Sequence, residues 1–197
     1  MGRIPAKQLL VLASSSPRRR ALLEQIGLVP DEVISADVDE AAHRGESPSH
    51  VARRLAAEKA RAVAAFRADA FVIGADTVVA CGRRMLPKTE DEEVARLCLH
   101  MLSGRRHRVY GGICVIAPGG RVAARVVRTV VTFKRFGDDE IGRYIGAGEW
   151  RGKAGGYAIQ GRAAAFVRRI NGSYTNVVGL SLCETAMLLS GLGYQSS

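Results

Sequence analysis

The chain of 197 residues is 47% hydrophobic, ample for the core of one domain spanning 1–197. Its 29 basic and 19 acidic residues leave a formal net charge of +10, which favours an anionic partner, nucleotide or nucleic acid, over a cationic one. No apolar run suits a signal peptide or a membrane span, the four cysteines form no CxxC pair and the four histidines no metal-binding spacing, so a cytoplasmic protein with reduced thiols is expected.

Residues 9–14 form a short apolar run that reads as a buried strand. Three serines and Pro17 follow it and open a helix over 17–26, with Ala21, Leu22, Leu23 and Ile26 inward and Gly27 at its end. A strand feeding a helix N-terminus leaves backbone N–H groups unpaired and suited to anions, phosphate above all. Arg18, Arg19 and Arg20 stand in that first turn, where the helix dipole favours acids. Their cost to the helix points to a bound anion, with Arg20 the weakest of the three candidates.

A second strand is expected over 33–38, ending at the carboxylates Asp39 and Glu40. A helix over 49–66 then repeats Val51, Leu55, Ala56, Ala62 and Val63 at helical spacing. Lys59 falls on its apolar side, where an amine either snorkels to water or meets an anion. The run 70–80 reads as a buried strand interrupted by Gly74-Ala75-Asp76-Thr77, and a carboxylate there needs a partner or a cation.

A tight connection is expected over 81–86, and Pro87-Lys88-Thr89 leads to a helix over 91–102 with acids crowding its start. Strands over 108–117 and 122–134 flank the hairpin turn Pro118-Gly119-Gly120, and a short helix covers 138–145. The stretch 149–161 is rich in glycine, which suits backbone held close to a ligand or another segment. It carries Lys153 and Gln160, whose amide both donates and accepts, as reading a base edge requires. A strand over 166–170 and a last helix over 180–189 complete the reading. With aromatics at 6%, packing is expected to rest on Ala, Val, Leu and Ile.

Several stretches together resemble the Maf family of nucleoside triphosphate pyrophosphatases: ASSSPRR at 13–19, Asp39-Glu40, RLAAEKA at 54–60, GADTVV at 74–79, Lys88, KAGGYAIQG at 153–161 and INGSYTNVVGL at 170–180. The resemblance implies an α/β fold with a mixed, twisted central sheet flanked by helices, two lobes around a cleft, as in inosine-triphosphatase-like proteins. It implies hydrolysis of a nucleoside triphosphate to the monophosphate and pyrophosphate with Mg²⁺ or Mn²⁺, and a homodimer, which is frequent in the family. Members are linked to septum formation and to clearing non-standard nucleotides.

On matching positions the resemblance makes Asp76, Glu40 and Lys88 catalytic, with Asp76 as proton acceptor and Asp76 and Glu40 as metal ligands. Ser14, Arg18, Arg19, Lys59, Thr77, Lys153 and Gln160 would bind substrate. Arg18, Thr77 and Gln160 would set its preference, and Ile159-Gln160-Gly161 resembles the group acting on dTTP and UTP. The sister group acting on 7-methyl-GTP differs at that segment. Three departures bear on local geometry: Pro87-Lys88-Thr89 in place of Lys-Pro, Gly111 in place of a threonine, and Ser181 in place of proline. Gly111 is expected to widen a pocket wall. A non-catalytic nucleic-acid-binding regulator of septation is the competing class, motivated by the charge; carboxylates in a phosphate cleft argue against nucleic acid.

Overall fold

The computed structural model describes residues 8–195. Its centre is a mixed sheet of seven described strands in the order β2-β1-β3-β5-β6-β7, with β4 paired to β3 outside that path. In chain order these are β1 (Leu10–Ala13), β2 (Glu32–Val33), β3 (Phe71–Cys81), β4 (Arg84–Leu86), β5 (Arg106–Ile116), β6 (Val122–Phe133) and β7 (Val167–Asn171). The helices are α1 (Pro17–Gln25), α2 (Pro48–Ala64), α3 (Glu92–Leu102), α4 (Asp138–Gly146), α5 (Tyr174–Val178) and α6 (Leu182–Gly191). No described helix is long and apolar enough to cross a membrane.

Strand alternation divides the core. Phe71, Ile73, Ala75 and Val79 of β3 join the large core that also holds residues of α1, α3, α4, α5 and α6. Val72 and Val78 face the other way, with Val63 and with Val51 and Leu55 of α2. Helix α2 lies very close to the sheet. A Cβ on Gly74 would stand 2.2 Å from the Ala56 carbonyl oxygen, and one on Gly112 would stand 1.9 Å from that of Ala52. Ala52, Ala56 and Ala60, all fully buried, complete this close approach on the helix side.

The strands β1 and β3 run parallel over Leu10–Ala13 and Phe71–Gly74. Antiparallel β4 takes up the same edge of β3 only from Val79 to Cys81. Residues 75–78 therefore face a notch where neither strand pairs, while β5 stays paired to them on the other side. Ligands of open α/β sheets gather beyond strand ends at such breaks in strand order.

Ala21 and Ile26, expected inward, are exposed, and four expected elements also differ from the structure. Strand β2 covers only Glu32–Val33: Ile34 N–H donates to Leu12 O at 2.9 Å and the chain then leaves the sheet. The stretch 70–80 is one continuous strand, because its small residues fit beneath α2. The connection at 81–86 is a β-hairpin, with Arg84 opposite Cys81. A short helix not expected from the sequence, α5, precedes the last one, and α6 begins at Leu182, beyond Gly179 at φ 147°. The core also uses aromatics more than their number suggests. Phe133 contacts the rings of His107, Phe136, Tyr157 and Phe166, with centroids 4.8–6.2 Å away.

Candidate active site

The notch opens into a cavity of about 370 Å³, within the range of small-ligand sites. Its wall at the end of β1 is Ser14, Ser15, Ser16 and Pro17, running into α1 with Arg18 and Arg19. Ser16 caps α1 by position but makes no side-chain capping bond, and the first turn holds no acid. The positive end of this helix is thus left to a ligand.

Arg19 is 7% exposed and held entirely by neutral groups. Its Nε donates to Gly179 O at 2.9 Å, Nη1 to Ser14 Oγ at 2.8 Å and Nη2 to Thr77 Oγ1 at 3.2 Å. Arg18 Nε donates to Val178 O at 3.3 Å. Burial draws both guanidinium pKa values below the ordinary arginine value, and in Arg19 the neighbouring Arg18 adds to this against Asp76 and Glu40. Burial and then Arg18 likewise lower Lys153. Cations brought together without carboxylates in direct contact make a strong anion site. Arg20 lies apart, exposed and paired with Glu24 at 2.7 Å.

Opposite them stands a cluster of two carboxylates and two ammonium groups. Asp76, 2% exposed, occupies the notch on the α2 side of β3. Lys59 Nζ donates to Asp76 Oδ1 at 2.8 Å and to Glu40 Oε1. Lys88 Nζ donates to Glu40 Oε2 at 2.8 Å and lies 3.7 Å from Asp76 Oδ1. The close approach of α2 at Gly74, two residues before Asp76, brings Lys59 here. Burial pushes the Glu40 carboxyl up, but hydrogen bonds from Lys59 and Lys88 outweigh this and hold it at about 2. Asp76 lines an adjoining cavity of about 390 Å³, which meets the first at Glu40, Thr77, Lys88 and Ala154.

The model for Maf-like proteins matches residues 9–192. The chain belongs to the Maf family. Similar relatives include a protein of Paramagnetospirillum magneticum, 63% identical, with the match covering 94% of this chain and 97% of that one. Others are from Rhodospirillum rubrum (58%; 94% and 89%) and Caulobacter vibrioides (56%; 94% and 96%). All three are named dTTP/UTP pyrophosphatase. Among solved structures, the Staphylococcus aureus Ham1 protein covers 64% of this chain and 72% of its own, at 18% identity and a TM-score of 0.46.

Of the residues singled out for this Maf chain, Ser14, Arg18, Arg19, Glu40, Lys59, Thr77 and Lys88 line the first cavity. Lys153 stands beside Arg18, with its Nζ donating to Arg151 O at 2.8 Å. Gln160 is exposed and not among the lining residues; Tyr157, three residues earlier, is the lining residue of that segment's end. Gly111 widens no wall of either cavity. The space its side chain would take is filled by the Asn176 amide, whose Oδ1 would lie 1.9 Å from a Cβ there. In the Pro87-Lys88-Thr89 departure, Pro87 O and Thr89 O accept from Gly155 and Gly152 N–H, each at 3.0 Å, and Lys88 still reaches Glu40. Ser181, the third departure, is buried at the N-cap of α6, and its carbonyl accepts from Thr185 Oγ1 at 2.8 Å.

Three contributors were given no role by the sequence, although two of them lie in the stretch 170–180 that carries the family resemblance. The Val178 and Gly179 carbonyls hold the arginines from 160 residues away. Ser35 and Ala36 line the cavity because the chain leaves β2 early. Asn176, fully buried, ties α5 to the sheet through Nδ2 donation to Val109 O, Val127 O and Thr129 Oγ1 at 3.0–3.3 Å.

Proposed function

We propose that this chain hydrolyses nucleoside triphosphates, dTTP and UTP foremost, to the monophosphate and pyrophosphate. The observation that carries this is an anion site of Arg18, Arg19 and the α1 N-terminus facing Glu40 and Asp76 across one notch. A simple phosphate binder gains nothing from buried carboxylates beside its anion. A pyrophosphatase needs them to handle water and a cation. The names of the three relatives support the choice of pyrimidine substrates.

Two carboxylates converging on one ammonium is a donor arrangement that suits a hard divalent cation. Among the described residues no group of three or more His, Cys, Asp or Glu is placed to hold a metal ion, so Glu40 and Asp76 would hold the ion with water and phosphate oxygens. A bound Mg²⁺ or Mn²⁺ supplies charge neutralisation at the phosphoryl group and a lowered water pKa.

The chain's own groups do the rest. Arg18, Arg19, Ser14 and the positive N-terminal end of α1 hold the triphosphate tail and offset its charge, which fixes the α-phosphorus for attack. Asp76 orients the attacking water and accepts its proton. The water oxygen bonds to the α-phosphorus as the bond from that phosphorus to the oxygen bridging the β-phosphate breaks. Pyrophosphate departs with the bridging oxygen, stabilised by Lys88, Lys153 and the arginines. Thr77 and Tyr157 bound the cavity, and Gln160 stands outside its lining on the Tyr157 segment.

The deciding experiment measures pyrophosphate release from dTTP, UTP, CTP and 7-methyl-GTP with Mn²⁺, for the parent and for Asp76→Asn. The parent is expected to turn over dTTP and UTP fastest. The variant is expected to fold and to lose about 10²-fold or more in turnover, as for loss of general-base catalysis. A variant with the parent's rate would remove Asp76 from the reaction. No product from any nucleotide would refute the proposed activity.

A further inference from the structure

The cation-binding ground in this molecule is already held by the protein. Lys59 is 6% exposed, and its Nζ touches both Asp76 Oδ1 and Glu40 Oε1. Lys88 engages the other Glu40 oxygen at 2.8 Å. Two ammonium groups and two carboxylates make a cluster with no formal net charge, while Arg19 and Arg18 lie just across the cavity. A divalent ion arriving alone would have to displace Lys59 from both carboxylates. The displaced ammonium would have no other carboxylate to move to, because the remaining charged residues lining the cavity are Arg18, Arg19 and Lys88. Its stem sits on the buried side of α2, so its ammonium can move only into the cavity it lines. A triphosphate changes this. It offers phosphate oxygens on the cavity side, where Lys59 and Lys88 both already point.

We propose that Lys59 is a built-in counter-ion that keeps the Glu40–Asp76 pair closed to divalent metal until a nucleotide's phosphates draw its ammonium away. The inference rests on the triphosphate reading above. Metal and nucleotide then strengthen each other's binding by the same factor. The free enzyme stays largely metal-free where metal is scarce, and metal is recruited with the substrate.

The test uses Mn²⁺ alone, with no nucleotide present, followed by electron paramagnetic resonance of the free ion and by calorimetry. The parent is expected to bind Mn²⁺ weakly. Lys59→Met removes the ammonium and keeps an apolar stem, and it is expected to bind about tenfold or more tightly, within the range seen for coupled sites. Adding Asp76→Asn to that variant should return binding to the parent's level. Because Lys59→Met strands a buried carboxylate, thermal melting is read as well: Mn²⁺ should raise the variant's melting temperature clearly more than the parent's. Should Lys59→Met fail to fold, Lys59→Gln takes its place with the same expectation. Equal Mn²⁺ affinity in parent and variant would overturn the counter-ion role. That outcome is separable from failure of the activity itself, since the titration contains no nucleotide.

Discussion

Gly111→Ala adds one methyl group at a place where the structure has none to spare. The new Cβ would stand 1.9 Å from Asn176 Oδ1 and 3.0 Å from its Cγ. The amide must therefore move by more than about 1 Å to reach ordinary contact. It cannot do so and keep its hydrogen bonds, for Nδ2 is committed to Val109 O, Val127 O and Thr129 Oγ1. Overpacking of this kind costs about 1–3 kcal/mol, and each hydrogen bond lost about 1 kcal/mol. The two costs overlap, since moving the amide relieves the clash, so a total of about 2–3 kcal/mol is expected. At this chain length that lowers the melting temperature by about 4–12 °C. The same displacement shifts α5 and Gly179 just after it, and the Val178 and Gly179 carbonyls hold Arg18 and Arg19, so KM for dTTP should rise more than kcat falls. Scanning calorimetry and steady-state kinetics measure both. The companion experiment is the pair with Asn176→Ala: in the double variant the new methyl fills space the amide has left, and the two losses should fall short of additive by about 1 kcal/mol. A Gly111→Ala protein melting within about 2 °C of the parent, or a strictly additive double variant, would refute the packing argument.

Two titrations give further checks. Glu40 has a folded pKa of about 2 against an ordinary 4.5, so its ion pairs stabilise fully above pH 4.5 and are lost as pH falls through about 2. The melting-temperature gap between the parent and Glu40→Gln should close over that window, and it should be small, at most about 1 kcal/mol, because the side chain is nearly half exposed. His107 is 1% exposed, and burial lowers its pKa to about 4 from 6.5. Between those values the unfolded chain takes up a proton that the folded chain refuses. Stability should therefore fall by up to about 3 kcal/mol as pH drops from 6.5 to 4, and His107→Gln should flatten that fall in urea titrations. An unchanged slope in the variant would assign the acid sensitivity to other groups.

Much of the site was legible because local sequence carries the chemistry of helix starts and buried charges. The serines, Pro17 and arginines after β1 mark an anion-binding helix end from twelve residues alone. Asp76 in an apolar strand demands a cationic partner wherever it occurs. What remained hidden depends on strand order. Nothing near Asp76 in the chain says that β1 stops opposite Gly74 and that β4 pairs with β3 no nearer than Val79. Lys59 had two answers, water or an anion, and the close approach of α2 decided for the anion. Gly111 shows the limit of reading a small residue as empty space: the space belongs to an amide 65 positions later in the chain.

The furrow of Gly74 and Gly112 under Ala52, Ala56 and Ala60 works as a spacer gauge. A gauge built from the smallest side chains has no adjustment left in the inward direction and ample room outward. Exchanging its alanines for larger apolar residues would keep the helix amphipathic and the protein oily inside. It would also lift the Lys59 stem off the sheet, away from Asp76. Composition can thus drift along this helix without any residue of the site being touched, and the separation between an amine and a carboxylate records every such change.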